Sequence, residues 1–219
     1  MLSQKRSDPT NKKDILITLP TKKPFKSIYQ FKITLLETDP PIWRRIQVPD
    51  SYTFYDLHVA IQNAMGWLDS HLHQFEIADK TRKRGIRYIE CPYCIEDIEE
   101  DDFLLTTEVP IKNYLNKVGN SVLYRYDFGD SWEHDVLLEG IFKREPNIKY
   151  PRCLDGKLAC PPEDCGSIPG YYDCIEAIKN RDNSEGLLTW LGRWKPYNFN
   201  PKLVKFENPR SRLKETLED

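Results

Sequence analysis

Val122, Tyr124, Tyr126 and Phe128 alternate with Leu123, Arg125 and Asp127, and after Gly129 and Asp130 the alternation resumes through Trp132, His134, Val136 and Leu138. Successive side chains of an extended chain point to opposite sides, so a period of two over both arms predicts paired strands. Gly129 supplies a turn residue that takes positive φ without steric cost. An antiparallel hairpin is therefore the strongest single constraint on the fold.

The remaining segments add to that sheet or cover it. Ile28 to Leu36 has strand-like content, Pro40 and Pro41 break it, and Ile42 to Val48 can extend again. A helix then opens with Thr53 as N-cap, Asp56 three residues later and Tyr52 placed to staple against Leu57. Leu57, Ile61, Ala64, Met65 and Leu68 form its apolar face at helical period. Ser70 to Ile77 alternates as a third strand, with His71, His73 and Phe75 on one face. The polar stretch at about 80–107, which includes the acidic run 97–102, reads as an excursion from the sheet.

Residues 150–169 are too rich in Pro and Gly to predict regular structure. Tyr171, Cys174, Ile175 and Ile178 are spaced as one helix, and Leu187, Leu188, Leu191 and Trp194 as another. Asn200 and Pro201 look like the start of a third, stopped by Pro209. Strands first and helices last, with one early helix, predict an α+β single domain. Its antiparallel or mixed sheet packs against the early helix and the C-terminal helices.

Composition sets the boundaries. The chain is 39% hydrophobic and 30% charged, enough to build a core, with a formal net charge of −2. Residues 1–26 hold seven Lys and Arg against Asp8 and Asp14, which leaves 27–219 acidic. Such a Lys-rich, aromatic-poor segment is expected to be a disordered basic tail, with 27–219 as the domain. No run of about 20 apolar residues occurs, so no membrane span is expected and the setting is read as cytoplasmic.

Six cysteines in a reducing cell point to metal or reactivity rather than disulfides. Cys91-Pro92-Tyr93-Cys94 has the letters of a dithiol redox tetrad, but Glu90, Glu96 and the acidic run beside it would raise a thiol pKa. A metal suits that field better. Cys91 and Cys94, with Cys160 and Cys165, have the spacing of two zinc hooks, and Cys153 or His134 could replace one member. The expected cofactor is a structural Zn²⁺. A second candidate is the polar cluster of Asp127, Asp130, Glu133 and His134 beside His71 and His73, whose carboxylates and imidazoles could hold a metal or move protons. Asp130 and Ser131 are also ordinary turn residues, and a satisfied buried histidine would account for His134.

Five blocks occur in an order that resembles the plasmid pRiA4b ORF-three-like domain family. They are Asp39 to Arg45; Leu57-His58 leading to Gly66-Trp67 and Ser70 to Phe75; Tyr126 to His134; Tyr150 to Gly156; and Cys160 to Gly166. The resemblance implies a compact α+β domain associated with mobile elements and without an established activity. Ser167 departs from it, standing where the family pattern has a second Gly, and the CPYC stretch is not part of that pattern.

Together these features favour a non-enzymatic binding or accessory domain with a structural zinc. The alternative is a metal-dependent hydrolase or nucleic-acid-processing enzyme using the Tyr126–His134 hairpin. Thiol redox chemistry ranks last. The basic tail leaves nucleic acid open as a partner, while the acidic body argues against a broad phosphate-binding surface.

Overall fold

The computed structural model describes residues 3–5, 16–93, 104–184 and 186–218. Ten strands and four helices follow one another: β1 (Ser3–Lys5), β2 (Leu16–Thr18), β3 (Ser27–Leu35), β4 (Trp43–Pro49), α1 (Phe54–Met65), β5 (His73–Ala78), β6 (Ile86–Glu90), β7 (Leu104–Leu105), β8 (Ser121–Tyr126), β9 (Trp132–Lys143), β10 (Arg152–Lys157), α2 (Ser167–Asn180), α3 (Leu187–Leu191) and α4 (Pro209–Glu218). β1 and β2 pair by themselves, and the other eight strands form one sheet in the order β10-β4-β3-β9-β8-β5-β6-β7. Within it only the β6–β7 pair is parallel. The fold is α+β, as the order of elements predicts.

The hairpin pairs as expected, with Tyr124 opposite His134 and Tyr126 opposite Trp132, but its turn takes positive φ at Asp127 and Ser131 rather than at Gly129. Register carries those rows across neighbouring strands. Leu35, His134, Tyr124, Phe75 and Ile89 line up on five strands, as do Trp132, Tyr126 and His73 on three. Every member of both rows is at most 1% exposed. The opposite face is polar: Arg125 pairs with Glu76 and Glu133, Arg45 with Glu139, and Gln30, Gln47 and Arg152 bond in series. One apolar and one solvated face is the usual condition of an antiparallel sheet.

Helix α1 lies over the apolar face. Its Thr53 cap is a complete capping box: Thr53 Oγ1 accepts from the Asp56 amide and Asp56 accepts from the Thr53 amide. Gly66 ends the helix in the left-handed region at φ 97°, so Leu68, expected on the apolar face, lies beyond the last turn and is 73% exposed.

Several expectations change. The third strand begins at His73, which leaves His71 and Leu72 in the preceding loop. The stretch read as an excursion returns to the sheet as β6 and β7, because Phe75 pairs with Ile89 and offers it a buried position. β10 forms within the Pro/Gly-rich segment, its irregular content absorbed by a register shift between Cys153 and Asp155. Pro209 opens α4 rather than stopping a helix, because a first-turn residue has no need of its amide; Asn200 caps only a single turn at Pro201–Leu203. The second half of the basic segment also carries structure. Ile17 and Leu19 are buried with Tyr55, Val59 and Leu213, an apolar gain that the Lys count conceals. Residues 1, 2 and 6–15 lie outside the described residues.

Candidate functional site

Two polar clusters lie on either side of the loop that joins α1 to β5. The inner one begins on α1, where Tyr55, His58 and Gln62 fall on one face at helical spacing. His58 Nε2 lies 2.8 Å from Asp69 Oδ1, and His58 Nδ1 lies 2.8 Å from the Tyr124 hydroxyl, which also accepts from Gln62 Nε2 at 2.9 Å. A carboxylate only accepts, so the proton sits on Nε2 and Nδ1 takes the Tyr124 hydrogen. His73 stacks flat on His58, with ring centroids 3.4 Å apart and planes 11° apart. Burial first, and the adjacent His58 ring second, hold the His73 pKa well below the ordinary histidine value.

The inner cluster is enclosed, and several of its polar atoms have no hydrogen-bond partner: Tyr55 Oη, Asp69 Oδ2, His73 Nδ1 and Tyr93 Oη. The Tyr55 ring lies 5.6 Å from His58 and 6.0 Å from His73, and the Tyr93 ring 6.1 Å from His73. Arg212 on α4 closes the outside, bonding Leu68 O at 2.7 Å with Nη1 3.9 Å from Asp69 Oδ2.

The outer cluster is the rim. His71 Nε2 lies 2.8 Å from Asp164 Oδ1 and 3.6 Å from Asp127 Oδ2. Asp127 sits at φ 57°, and its Oδ1 accepts from the Gly129 and Asp130 amides, which shapes the hairpin turn. Asp130 accepts from the Gly166 amide at 3.1 Å, and Tyr126 donates to Glu163, which also accepts from the Leu68 amide. Three distant stretches are thereby tied together: the α1–β5 loop, the β8–β9 turn and the loop before α2. Leu68, Leu72 and Phe128 are exposed at the same end of the sheet.

The predicted cluster is thus divided. His71, Asp127 and Asp130 meet at the rim. His73 belongs to the inner cluster, whereas His134 is buried beside Trp67 and Tyr124 and its Nε2 has no partner. Glu133 points to the polar face and pairs with Arg125 at 2.7 Å. Strand alternation separates them: Glu133 and His134 are neighbours and must face opposite ways.

Cys91, Cys160 and Cys165 form none of the three-residue groups of metal-ligating side chains found among the described residues. Cys160 is buried near Arg44 and Cys165; Cys165 bonds Cys174; Cys91 follows β6, its amide bonded to His73 O. Burial pushes the Cys153 thiol up to about 11 and Cys165 to about 12. Cys94 and the acidic run lie outside the described residues. Groups of three metal-ligating residues do occur among the described residues, at His58, Asp69 and His73 and at His71, Asp127 and Asp164, and neither includes a cysteine. His58, Gln62, Asp69 and Asp164 were absent from the predicted set. The available signal for two of them was a histidine and a glutamine four residues apart on an otherwise apolar helix face. A separate groove of about 450 Å³ between residues 20–25 and 206–210 touches neither cluster.

The architecture is that of a two-layer α+β domain with a polar cluster both under and at the end of its sheet. Its sequence places it within a family: residues 27–205 match the plasmid pRiA4b ORF-3-like protein family, and the chain belongs to that family. It is 31% identical over 170 residues to the uncharacterized protein y4hQ of Sinorhizobium fredii (strain NBRC 101917 / NGR234), covering 76% of this chain and 81% of that one. The crystal structure of a protein of unknown function, MM3350 from Methanosarcina mazei Go1, superposes with a TM-score of 0.75. It is 39% identical, and the match covers 84% of this chain and all of that one. No helix among the described residues is long and apolar enough to cross a membrane.

Proposed function

We propose that this protein is a cytoplasmic binding or accessory domain whose working surface is the rim, and that His71, Asp127 and Asp164 take a divalent cation there. The carrying observation is the His71 imidazole, held 2.8 Å and 3.6 Å from two carboxylates that arrive from separate loops. One imidazole with two carboxylates suits Zn²⁺ or Mn²⁺, and Asp164 is 68% exposed at its side chain, which leaves coordination positions open to a partner group.

Binding is favoured over catalysis because the acid–base candidates around the rim are already committed. Glu163 accepts from Tyr126, Asp130 from Gly166, and Glu133 pairs with Arg125, while His134 is enclosed. A hydrolase would need one of them at liberty to move a proton. The same acidity disfavours nucleic acid at this surface. Thiol redox chemistry has little support, since Cys91 is wholly buried. The four-cysteine zinc site has little support either, because no cysteine enters a three-residue group of metal-ligating side chains among the described residues.

Calorimetric titration with Mn²⁺ and Zn²⁺ tests the rim. Asp127→Asn/Asp164→Asn is expected to weaken an exchangeable site by roughly 10–100-fold. Equal affinity in wild type and double variant would remove the cation from this surface.

A further inference from the structure

We propose that His58, Asp69 and His73 form a second, closed site for a transition-metal ion of the Zn²⁺ class, independent of the rim. One ligand atom from each lies within 4.8 Å of the others, and all three residues are buried. The unpartnered atoms point to an occupant. Asp69 Oδ2, which has only the distant Arg212 at 3.9 Å, and His73 Nδ1 have no hydrogen-bond partner, and neither do the hydroxyls of Tyr55 and Tyr93. Buried polar atoms are almost always satisfied, so a cluster of orphans around one trio marks a place where something binds.

The donor chemistry selects a metal. Two imidazoles and one carboxylate are a borderline-soft set suited to Zn²⁺, and they leave a fourth position on the side of the two phenols. A ligating imidazole must offer a free ring nitrogen, and His73 Nδ1 has no hydrogen-bond partner. His58 becomes a ligand by a change of tautomer, with the His73 ring turning out of its stack on His58 so that both lone pairs meet at the ion. Its proton passes from Nε2 to Nδ1 and is donated to the Tyr124 oxygen, leaving Nε2 for the ion. The Tyr124 hydrogen then needs an acceptor. Gln62 supplies one, because its Oε1 is buried without a partner while its Nε2 already touches that phenol; exchanging the two amide ends puts the carbonyl on the hydroxyl. No proton is gained or lost in the change. A histidine ligand oriented through its second nitrogen is the normal arrangement around protein metals.

The closed site is enclosed by α1, β5, β8 and Arg212 of α4, so its ion is expected to be retained where a rim ion exchanges. Protein expressed in zinc-supplemented medium, untagged and exhaustively dialysed, is assayed for metal per chain. Wild type and the outer-face control Glu133→Gln are expected to retain one zinc, and His73→Asn to lose at least nine-tenths of it (about tenfold). Zinc-free wild type, or a His73→Asn protein as loaded as wild type, overturns the proposal. Should His73→Asn fail to fold by circular dichroism, the visible spectrum of Co²⁺-loaded wild type decides. Tetrahedral d–d bands without thiolate charge transfer are expected; a thiolate band, or no cobalt uptake, overturns it. Failure of the rim reading shows only in the exchangeable titration and leaves the retained ion unaffected.

Discussion

His134 stands in the middle of the sheet with no exposure, its Nδ1 3.3 Å from Tyr124 O and its Nε2 without a partner. Burial drops its pKa from 6.5 to about 3. The neutral form is therefore the folded form. Below pH 6.5 the unfolded chain takes up a proton that the native protein refuses, so stability falls progressively from there toward pH 3. The slope from this one group is at most about 1.4 kcal/mol per pH unit. Urea midpoints measured between neutrality and acid are expected to decline less steeply in His134→Asn than in wild type. Identical slopes would mean that His134 is charged in the fold. The sequence showed His134 on an apolar strand face, and burial there was legible. That Glu133 beside it faces solvent was also implicit in the alternation, yet grouping residues by nearness along the chain placed both in one cluster.

At the scale of elements, the signals that were read correctly are local ones. Thr53, Asp56 and the apolar spacing of α1 are satisfied within a few residues, so the helix start could be read directly. β6 and β10 depend on partners far away in the chain. Ile89 is a strand residue because Phe75 lies opposite, and Arg152 to Lys157 because β4 does. The inner cluster was hidden for the same reason: His58 meets Asp69 only because Gly66 turns the chain back, and meets Tyr124 only across the sheet. β10 also shows how close its cover lies. A Cβ at Gly156 would stand 2.8 Å from Trp43 O and collide with the Phe199 ring, which itself stacks on the guanidinium of Arg44. Gly156→Ala is expected to cost roughly 1–3 kcal/mol, seen as a lower urea midpoint with an unchanged slope. A variant as stable as wild type would show that the segment carrying Phe199 is free to move away.

Across the whole molecule, the two ends of the chain meet over α1. Ile17 and Leu19 from one end and Leu213 from the other pack on Tyr55 and Val59, while Arg212 caps the inner cluster. Leu213 is fully buried, so Leu213→Ala is expected to cost about 2–5 kcal/mol. It should also speed amide hydrogen exchange in α1 and α4 more than in β3 and β4. Uniform acceleration would show one cooperative unit without a separate terminal cover. The fold class and the rim pair His71 and Asp127 were legible in the chain. The cover over α1 was not, because net charge says nothing about the short apolar run at 15–19 set between lysines.

The sheet stops for different reasons at its two borders. β7 is only two residues long, and β10 bears Arg152, Asp155 and Lys157, with Phe199 against Gly156. Among the described residues neither border offers a long, flat row of open amides and carbonyls, and short or charged margins of this kind resist the docking of further strands. An eight-stranded surface that would otherwise be a template for self-propagation is thereby finite, and crowding copies of this chain together is not expected to join them through their sheets.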